Sequence, residues 1–246
     1  MLDYGDPMRN EPINAGSLPA PHRLPAYWLD LVFGRTLPAL FFGLFMIVQL
    51  VGVAGAAGHL RPGAAPDEYL AFVNKVLRLA FFTMLIVMYS ARLPAKRADR
   101  RPGVVAVSLL GTFAILGAGY LPAWHHGPVA ILVSDVLIVL GMAYAVWGLA
   151  YLRRSFSIIP EARRLVTGGP YSLSRNPLYF GEGLASIGVM LPVFALGHLM
   201  LLLIFIASQL LRIRWEERIL TEAFPEEYPS YLRRVPMLVP FWPVRT

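Results

Sequence analysis

Residues 178–211, LYFGEGLASIGVMLPVFALGHLMLLLIFIASQLL, carry a single charged side chain, Glu182. About 20 apolar residues cross a bilayer as one helix, so this run is too long for one span and short for two. Pro192 lies near its middle, where a proline removes a helical hydrogen bond. The run therefore predicts a tight helical hairpin with legs at 178–191 and 194–214, whose first leg need not cross the whole bilayer.

Four further apolar stretches precede this hairpin. They are Leu37–Ala57, Leu70–Arg92, Gly103–Leu121 and Pro128–Leu152. Hydrophobic residues make up 57% of the 246-residue chain and charged residues 15%, against roughly 25% charged in an ordinary soluble protein. We therefore predict an all-α, polytopic transmembrane helical bundle of about five to six spans.

Basic residues lie in alternate segments between the predicted spans. They form three groups: Arg92, Lys96, Arg97, Arg100 and Arg101; Arg153, Arg154, Arg163 and Arg164; Arg212, Arg214, Arg218, Arg233 and Arg234. The positive-inside rule then places both termini and these three segments in the cytoplasm of a multi-pass protein. The Ala-, Gly-, Pro- and Arg-rich composition is typical of bacteria, so we predict a bacterial inner membrane.

The chain divides into three parts on this pattern. Residues 1–36 form a polar, proline-rich arm followed by an interfacial segment, residues 37–152 form the four-span region, and residues 153–246 contain the hairpin. The chain has no cysteine, which excludes disulfides and thiolate chemistry. We recognise no metal-ligand constellation and no nucleophile–base pair, and the net charge of +7 comes from the segments that flank the spans. We therefore predict no metal and no nucleic-acid partner.

Two charged residues inside the spans need partners. Asp135 lies about seven residues into the fourth span, and Arg78 lies at a similar depth in the second. A lone charge at the bilayer centre costs about 2.5–3.5 kcal/mol on insertion scales. We predict that Asp135 pairs with Arg78 or Lys75, chiefly to fix the register of the two helices.

The segment 160–182, PEARRLVTGGPYSLSRNPLYFGE, joins a basic stretch to the hairpin and contains the residues with chemical potential. Gly168-Gly169-Pro170 predicts a turn, and Asn176-Pro177 predicts the N-cap and first turn of the next helix. Arg175 then lies at the membrane surface beside a helix N-terminus. A guanidinium and free backbone N–H groups together can receive a carboxylate.

Further candidates complete a possible clamp for a zwitterion. Tyr171 and Tyr179 offer aromatic faces for an adenine ring or a sulfonium cation. Glu216 and Glu217 follow the predicted hairpin at the cytoplasmic end of the last helix, where a carboxylate can hold an ammonium group or ribose hydroxyls. Together with Arg175, they meet the chemical needs of a ligand such as S-adenosylmethionine.

Two stretches, LVTGGPYSLSRNPLYFG at 165–181 and EERILTEAFPEEYPSY at 216–231, resemble the paired motifs of the isoprenylcysteine carboxyl methyltransferase family. That family belongs with the membrane phospholipid methyltransferases, and the resemblance covers roughly 149–240. It implies a cytoplasmic cofactor pocket for S-adenosylmethionine beneath the C-terminal segment, with a lipid-facing route for the substrate. The chain departs from the family at Asn176 and near Arg163, where histidines are common, which weakens the expectation of prenylcysteine specificity but leaves the cofactor clamp in place.

The resemblance assigns site residues by position. The catalytic set is Arg175, Glu216 and Glu217. The cofactor-binding set is Thr167, Gly169, Pro170, Tyr171, Arg175, Asn176, Pro177, Tyr179, Gly181, Glu216, Glu217 and Tyr228. The expected partners are a lipophilic small-molecule substrate and membrane lipids.

Structural interpretations of the same residues stay open. Arg175 could meet lipid headgroups, and Glu216 could form a surface pair with Arg212 one turn away. Gly181, Ala185 and Gly188 could be a helix-packing face. Glu182 is an intramembrane carboxylate and so a functional candidate, or a partner of the helix dipole.

Other functions stay open too. A sterol-reductase-like NADPH enzyme and a non-catalytic scaffold or transport protein of the same fold are the alternatives. The acceptor, the O-, S- or N-chemistry of methylation and the oligomeric state are not fixed by the sequence.

Overall fold

The computed structural model describes residues 36–91, 97–99 and 101–243, and their fold is a bundle of helices. The helices are α1 Leu37–His59, α2 Pro66–Ser90, α3 Pro102–Phe113, α4 Pro128–Leu152, α5 Pro177–Met190, α6 Leu196–Ala223 and α7 Tyr228–Leu232. Five of the spans are long and apolar enough to cross a membrane: α1, α2, α3 with its 3-10 continuation to Tyr120, α4 and α6. The predicted all-α, multi-pass bundle is therefore confirmed.

The helix bounds follow the predicted spans, with two informative differences. Helix α2 begins at Pro66, because a proline suits the first helical turn and Asp67 and Glu68 there complement the helix dipole. Helix α6 is 28 residues long and continues to Ala223, nine residues past the predicted end of the hairpin. Glu216 and Glu217 therefore lie on the last transmembrane helix, as predicted, and the helix continues beyond them.

The hairpin has the predicted break. Helix α5 ends at Met190, a 3-10 turn with Pro192 follows, and α6 begins at Leu196. The turn lies beside the α3–α4 connection, where the His126 amide donates to the Pro192 carbonyl over 2.9 Å. At a rise of 1.5 Å per residue, the 14 residues of α5 cover about 21 Å.

The opposite end of the bundle gathers the connections that carry the site. The amide of Ile158, after α4, donates to the hydroxyl of Tyr89 at the end of α2 over 3.0 Å. Strands of two residues each, β1 Arg97–Ala98 and β2 Glu161–Ala162, pair antiparallel beside them. The segment before α5 is thereby tied to the α2–α3 connection.

Glycines let α4 and α5 approach closely. A Cβ atom on Gly181 would lie 2.5 Å from the carbonyl oxygen of Gly141, and one on Gly188 would lie 2.8 Å from that of Ser134. The Ser134 hydroxyl donates to the Gly188 carbonyl over 2.7 Å. These contacts place Gly181 in a small-residue packing face, which brings the start of α5 against α4.

We expect Gly181→Ala to destabilise the protein by about 1–3 kcal/mol, because the added methyl overpacks a backbone contact. The matched control is Gly183→Ala, since a Cβ there meets nothing within 4 Å and both changes favour helix equally. Thermal unfolding in detergent should show a lower Tm for the first variant only. Equal Tm values for the two variants would contradict this packing role.

Asp135 has a different partner from the predicted one. Asn74 Nδ2 donates to Asp135 Oδ1 over 2.8 Å, and within the described ranges Asp135 forms no ion pair with Arg78 or Lys75. The Lys75 stem instead lies towards Gly52 of α1. The link between α2 and α4 is as predicted, but the residue that makes it is an amide.

Some predictions concern residues outside the described part of the chain. These are the arm and interfacial segment, apart from Thr36, and the basic residues Arg92, Lys96 and Arg100. The three-part division of the chain and the orientation of the spans stay predictions.

Candidate functional site

A cavity of about 300 Å³ lies between the helices, and every helix from α1 to α7 contributes to its wall. One end is polar and is formed by side chains of the 160–180 segment, α6 and α7. The other end is aromatic, with Phe41, Phe42 and Phe45 of α1 and Phe81 and Phe82 of α2. The cavity therefore joins a region suited to charged groups with one suited to a hydrocarbon chain.

Arg175 ties three parts of the chain together at the polar end. Its Nε donates to Glu217 Oε1 over 2.7 Å. Its Nη1 donates to the carbonyl oxygens of Leu232 at 3.0 Å and Val235 at 2.7 Å. The guanidinium is only 11% exposed, and these contacts use it to hold the C-terminal segment, so its capacity to receive a ligand carboxylate is reduced.

The neighbours of Arg175 hold the same segment. The Arg175 amide donates to the Pro236 carbonyl over 2.9 Å, and the Ser174 hydroxyl donates to that of Leu238 over 2.7 Å. Asn176 occupies the N-cap position of α5, as predicted, but its side chain makes no cap hydrogen bond there. Its Nδ2 donates instead to the Met237 carbonyl over 2.9 Å. Residues 232–238 therefore form a roof fastened by backbone carbonyls.

The two adjacent glutamates of α6 have different surroundings. Glu216 lines the cavity and accepts a hydrogen bond from the Tyr179 hydroxyl. Glu217 pairs with Arg175 and is not part of the cavity wall. Successive residues of a helix point about 100° apart, so one carboxylate faces the cavity and the other fastens the roof.

Three tyrosines close the polar end beneath the roof. The rings of Tyr228 and Tyr231 contact each other at a tilt, with centroids 5.8 Å apart, and the Tyr231 hydroxyl donates to the Tyr171 carbonyl over 2.6 Å. Burial raises the pKa of Tyr171, Tyr228 and Tyr231 above the ordinary value for a phenol. All three hydroxyls therefore stay neutral at physiological pH, and their rings offer flat, water-excluded surfaces.

The remaining assigned positions lie around the cavity rather than in its wall. Thr167 is exposed and Pro170 is buried. Gly169 has φ +60° in the predicted turn, with the ring of Tyr151 against it. Pro177 is the first residue of α5, as predicted, and packs against Gly148. Of the assigned set, the cavity wall contains Tyr171, Arg175, Asn176, Tyr179, Glu216 and Tyr228.

Several polar residues of the cavity wall were not assigned from the sequence. Arg212 is 4% exposed, and its guanidinium lies 5.0 Å from the centroid of the Tyr179 ring, so it is not the surface partner of Glu216. Arg163 forms an ion pair with Glu161, and both side chains are at most 3% exposed. Exposed Arg164 also lines the cavity. The charges of the second and third basic groups were visible in the sequence, but the direction in which each side chain points was not.

Comparison with known proteins shows that part of this chain is similar to a known family. Residues 129–227 match the profile of the family described as phospholipid methyltransferase. This match confirms the resemblance stated from the two motifs. It begins at α4 and ends just before α7, so α1–α3 lie outside it.

Individual relatives resemble parts of the chain. Protein-S-isoprenylcysteine O-methyltransferase B of Arabidopsis thaliana is 35% identical over 114 residues, which cover 43% of this chain and 56% of the relative. The cobalt-zinc-cadmium resistance protein CzcN of Cupriavidus metallidurans is 38% identical over 114 residues, covering 44% and 51%. Methanethiol S-methyltransferase 2 of Bradyrhizobium diazoefficiens is 41% identical over 70 residues, covering 28% and 26%. The chain thus spans about half the length of the first two relatives and a quarter of the third.

Proposed function

Because residues 129–227 belong to the phospholipid methyltransferase family, we propose that this multi-pass membrane protein is an S-adenosylmethionine-dependent methyltransferase for a lipophilic or small membrane-partitioning acceptor. The observation that carries the proposal is the single cavity with a polar end and an aromatic end. A polar cofactor and an apolar acceptor can occupy the two ends and meet between them.

The residue types at the polar end fit this cofactor. Glu216 supplies a carboxylate for a cationic group, and the rings of Tyr171 and Tyr228 suit a flat base. Arg164 supplies a guanidinium for a carboxylate, because Arg175 is engaged by the roof. When bound, S-adenosylmethionine would supply an electrophilic methyl group.

The protein contributes alignment and exclusion of water. The roof at 232–238 and the buried tyrosines shield the polar end, and the helices fix the direction from which an acceptor reaches it. Holding two reactants in line can lower a barrier by several kcal/mol without a covalent enzyme intermediate. Arg163, Arg164 and Arg212 of the basic segments line the cavity, which favours a cytoplasmic site under the positive-inside rule.

The named activities of the relatives suggest the class of acceptor only broadly. One is named for an isoprenylcysteine and another for methanethiol, so a large lipid and a small thiol both occur among similar proteins. CzcN is named for metal resistance. Within the described residues no group of three or more His, Asp or Glu side chains could hold a metal ion.

Calorimetry on the detergent-purified protein tests the proposal. We expect saturable binding of S-adenosylmethionine and none of NADPH. Binding of NADPH alone would favour the sterol-reductase-like alternative. Binding of neither would favour a scaffold of the same fold.

A further inference from the structure

A chain of hydrogen-bonded polar side chains links α5 to α6, and its members Glu182 and Arg212 line the cavity. Gln209 Nε2 donates to Glu182 Oε2 over 2.8 Å, and Arg212 Nη1 donates to Gln209 Oε1 over 2.8 Å. Arg212 Nη2 donates to the Ile158 carbonyl over 2.9 Å. With the Tyr179 ring beneath it, the guanidinium is fixed on several sides.

The chain lies at the boundary between the two ends of the cavity. On α5, Asn176 and Tyr179 precede Glu182, and the apolar Ala185 and Val189 follow it in the cavity wall. On α6, Phe205 precedes Arg212 and Glu216 follows it. Glu182 and Arg212 therefore stand where the head of an apolar molecule would meet the polar end.

One acceptor atom and one donor hydrogen of this chain are left over. Glu182 Oε1 has no hydrogen-bond partner among the residues that the structure describes, and Glu182 lines the cavity. Arg212 also lines the cavity, and its Nη2 has one hydrogen bonded to the Ile158 carbonyl and a second without an acceptor in the described part of the chain. A buried donor without a partner costs free energy, so a ligand that satisfies it is favoured.

We infer that Glu182 and Arg212 form a subsite for the hydroxyl group of a lipophilic alcohol or phenol, an inference that rests on the proposed function because it names the acceptor. A hydroxyl can donate to Glu182 and accept from Arg212 at once. An ammonium group only donates, and leaves the arginine unsatisfied. A carboxylate only accepts, and meets Glu182 and Glu216 with one arginine between them.

The aromatic end fits the rest of such a molecule. The rings of Phe45 and Phe82 stack with centroids 5.5 Å apart, and those of Phe42 and Phe82 lie 6.2 Å apart. Phe41 meets Phe113 of α3 at 5.1 Å. Flat apolar walls of this kind suit an aryl ring or an isoprenoid chain.

Ligand binding without cofactor tests the subsite directly. The probes are 4-nonylphenol, its methyl ether, 4-nonylbenzoic acid and 4-nonylbenzylamine, which share one tail. Binding to the full chain in nanodiscs of zwitterionic lipid is measured against empty nanodiscs. We expect the phenol to bind about tenfold or more tightly than each of the other three. Equal binding of the methyl ether, or tighter binding of the acid or the amine, would overturn the inference.

Glu182→Gln is the matched variant. Its amide oxygen can still accept from Gln209, but its NH2 group then faces the ligand and removes the requirement for a hydroxyl donor. We expect the preference for phenol over methyl ether to fall below about twofold, while Glu222→Gln on the exposed end of α6 keeps it. If Glu182→Gln kept the preference for phenol over methyl ether, the role of Glu182 would be contradicted. If the variant fails to fold, the ligand series on the unaltered protein still tests the subsite. Failure to bind S-adenosylmethionine with the phenol preference intact would refute the proposed function alone.

Discussion

Arg175→Ala should release the C-terminal segment from the bundle and abolish binding of S-adenosylmethionine. The change removes three side-chain hydrogen bonds and leaves Glu217 without its cation. Breaking a buried ion pair from one side costs about 3–5 kcal/mol, and the pair here is 11% and 17% exposed, so we expect about 3 kcal/mol. Hydrogen exchange of residues 228–238 should accelerate, and calorimetry should show no cofactor binding.

A control variant and the hydrogen-exchange measurement together distinguish fastening of the roof from direct contact between Arg175 and a ligand. Arg218→Ala removes an arginine that is 70% exposed and paired with Glu222 on the same helix. We expect that variant to change stability by less than about 0.5 kcal/mol. Lost binding in Arg175→Ala with unchanged hydrogen exchange would show that Arg175 contacts the cofactor instead of fastening the roof.

Glu216→Gln should lower the affinity for S-adenosylmethionine by about 30-fold while leaving the roof in place. The amide can still accept the Tyr179 hydrogen bond, so the change removes a charge and little else. A carboxylate in a water-excluded cavity attracts a cation more strongly than in water, and a loss of about 2 kcal/mol corresponds to that factor. Calorimetry with the purified variant gives the affinity.

Glu217→Gln provides the matched comparison at the next residue. Since Glu217 binds Arg175 outside the cavity wall, its substitution should accelerate hydrogen exchange at 228–238. Glu216→Gln should not do so. If both substitutions changed cofactor affinity and hydrogen exchange alike, the separate roles of Glu216 in the cavity and Glu217 in the roof would be contradicted.

The transmembrane helices could be predicted closely because length and apolar content alone determine a span. The end of α6 could not be predicted in this way. Residues 212–223 are rich in charge and resemble a tail, yet they contain no helix breaker before Pro225. The helix therefore continues, and it carries Glu216 to the polar end of the cavity.

The sequence indicated which polar residues the candidate site could contain, but not which of them contact one another. Arg175 and the glutamates of α6 were expected to act together on a ligand, but Arg175 and Glu217 bind each other. A surface pair of Glu216 with Arg212 was an interpretation that the sequence left open, and the structure buries Arg212 instead. Helix α6 is apolar on most sides of its first half, so its pattern does not fix its rotation about its own axis. The Arg175–Glu217 pair and the burial of Arg212 both depend on contacts between residues more than 40 positions apart.

Two parts of the chain form the cavity wall, and only one of them matches the known family. The polar end comes mainly from the region that matches the family, whereas the phenylalanines of α1, α2 and α3 lie outside that match. Exchange of side chains in α1–α3 can therefore reshape the pocket for the hydrocarbon while the residues at the other end stay as they are. A protein built this way can diversify its choice of molecule by mutation in one half, and its scaffold is a convenient starting point for engineering that choice.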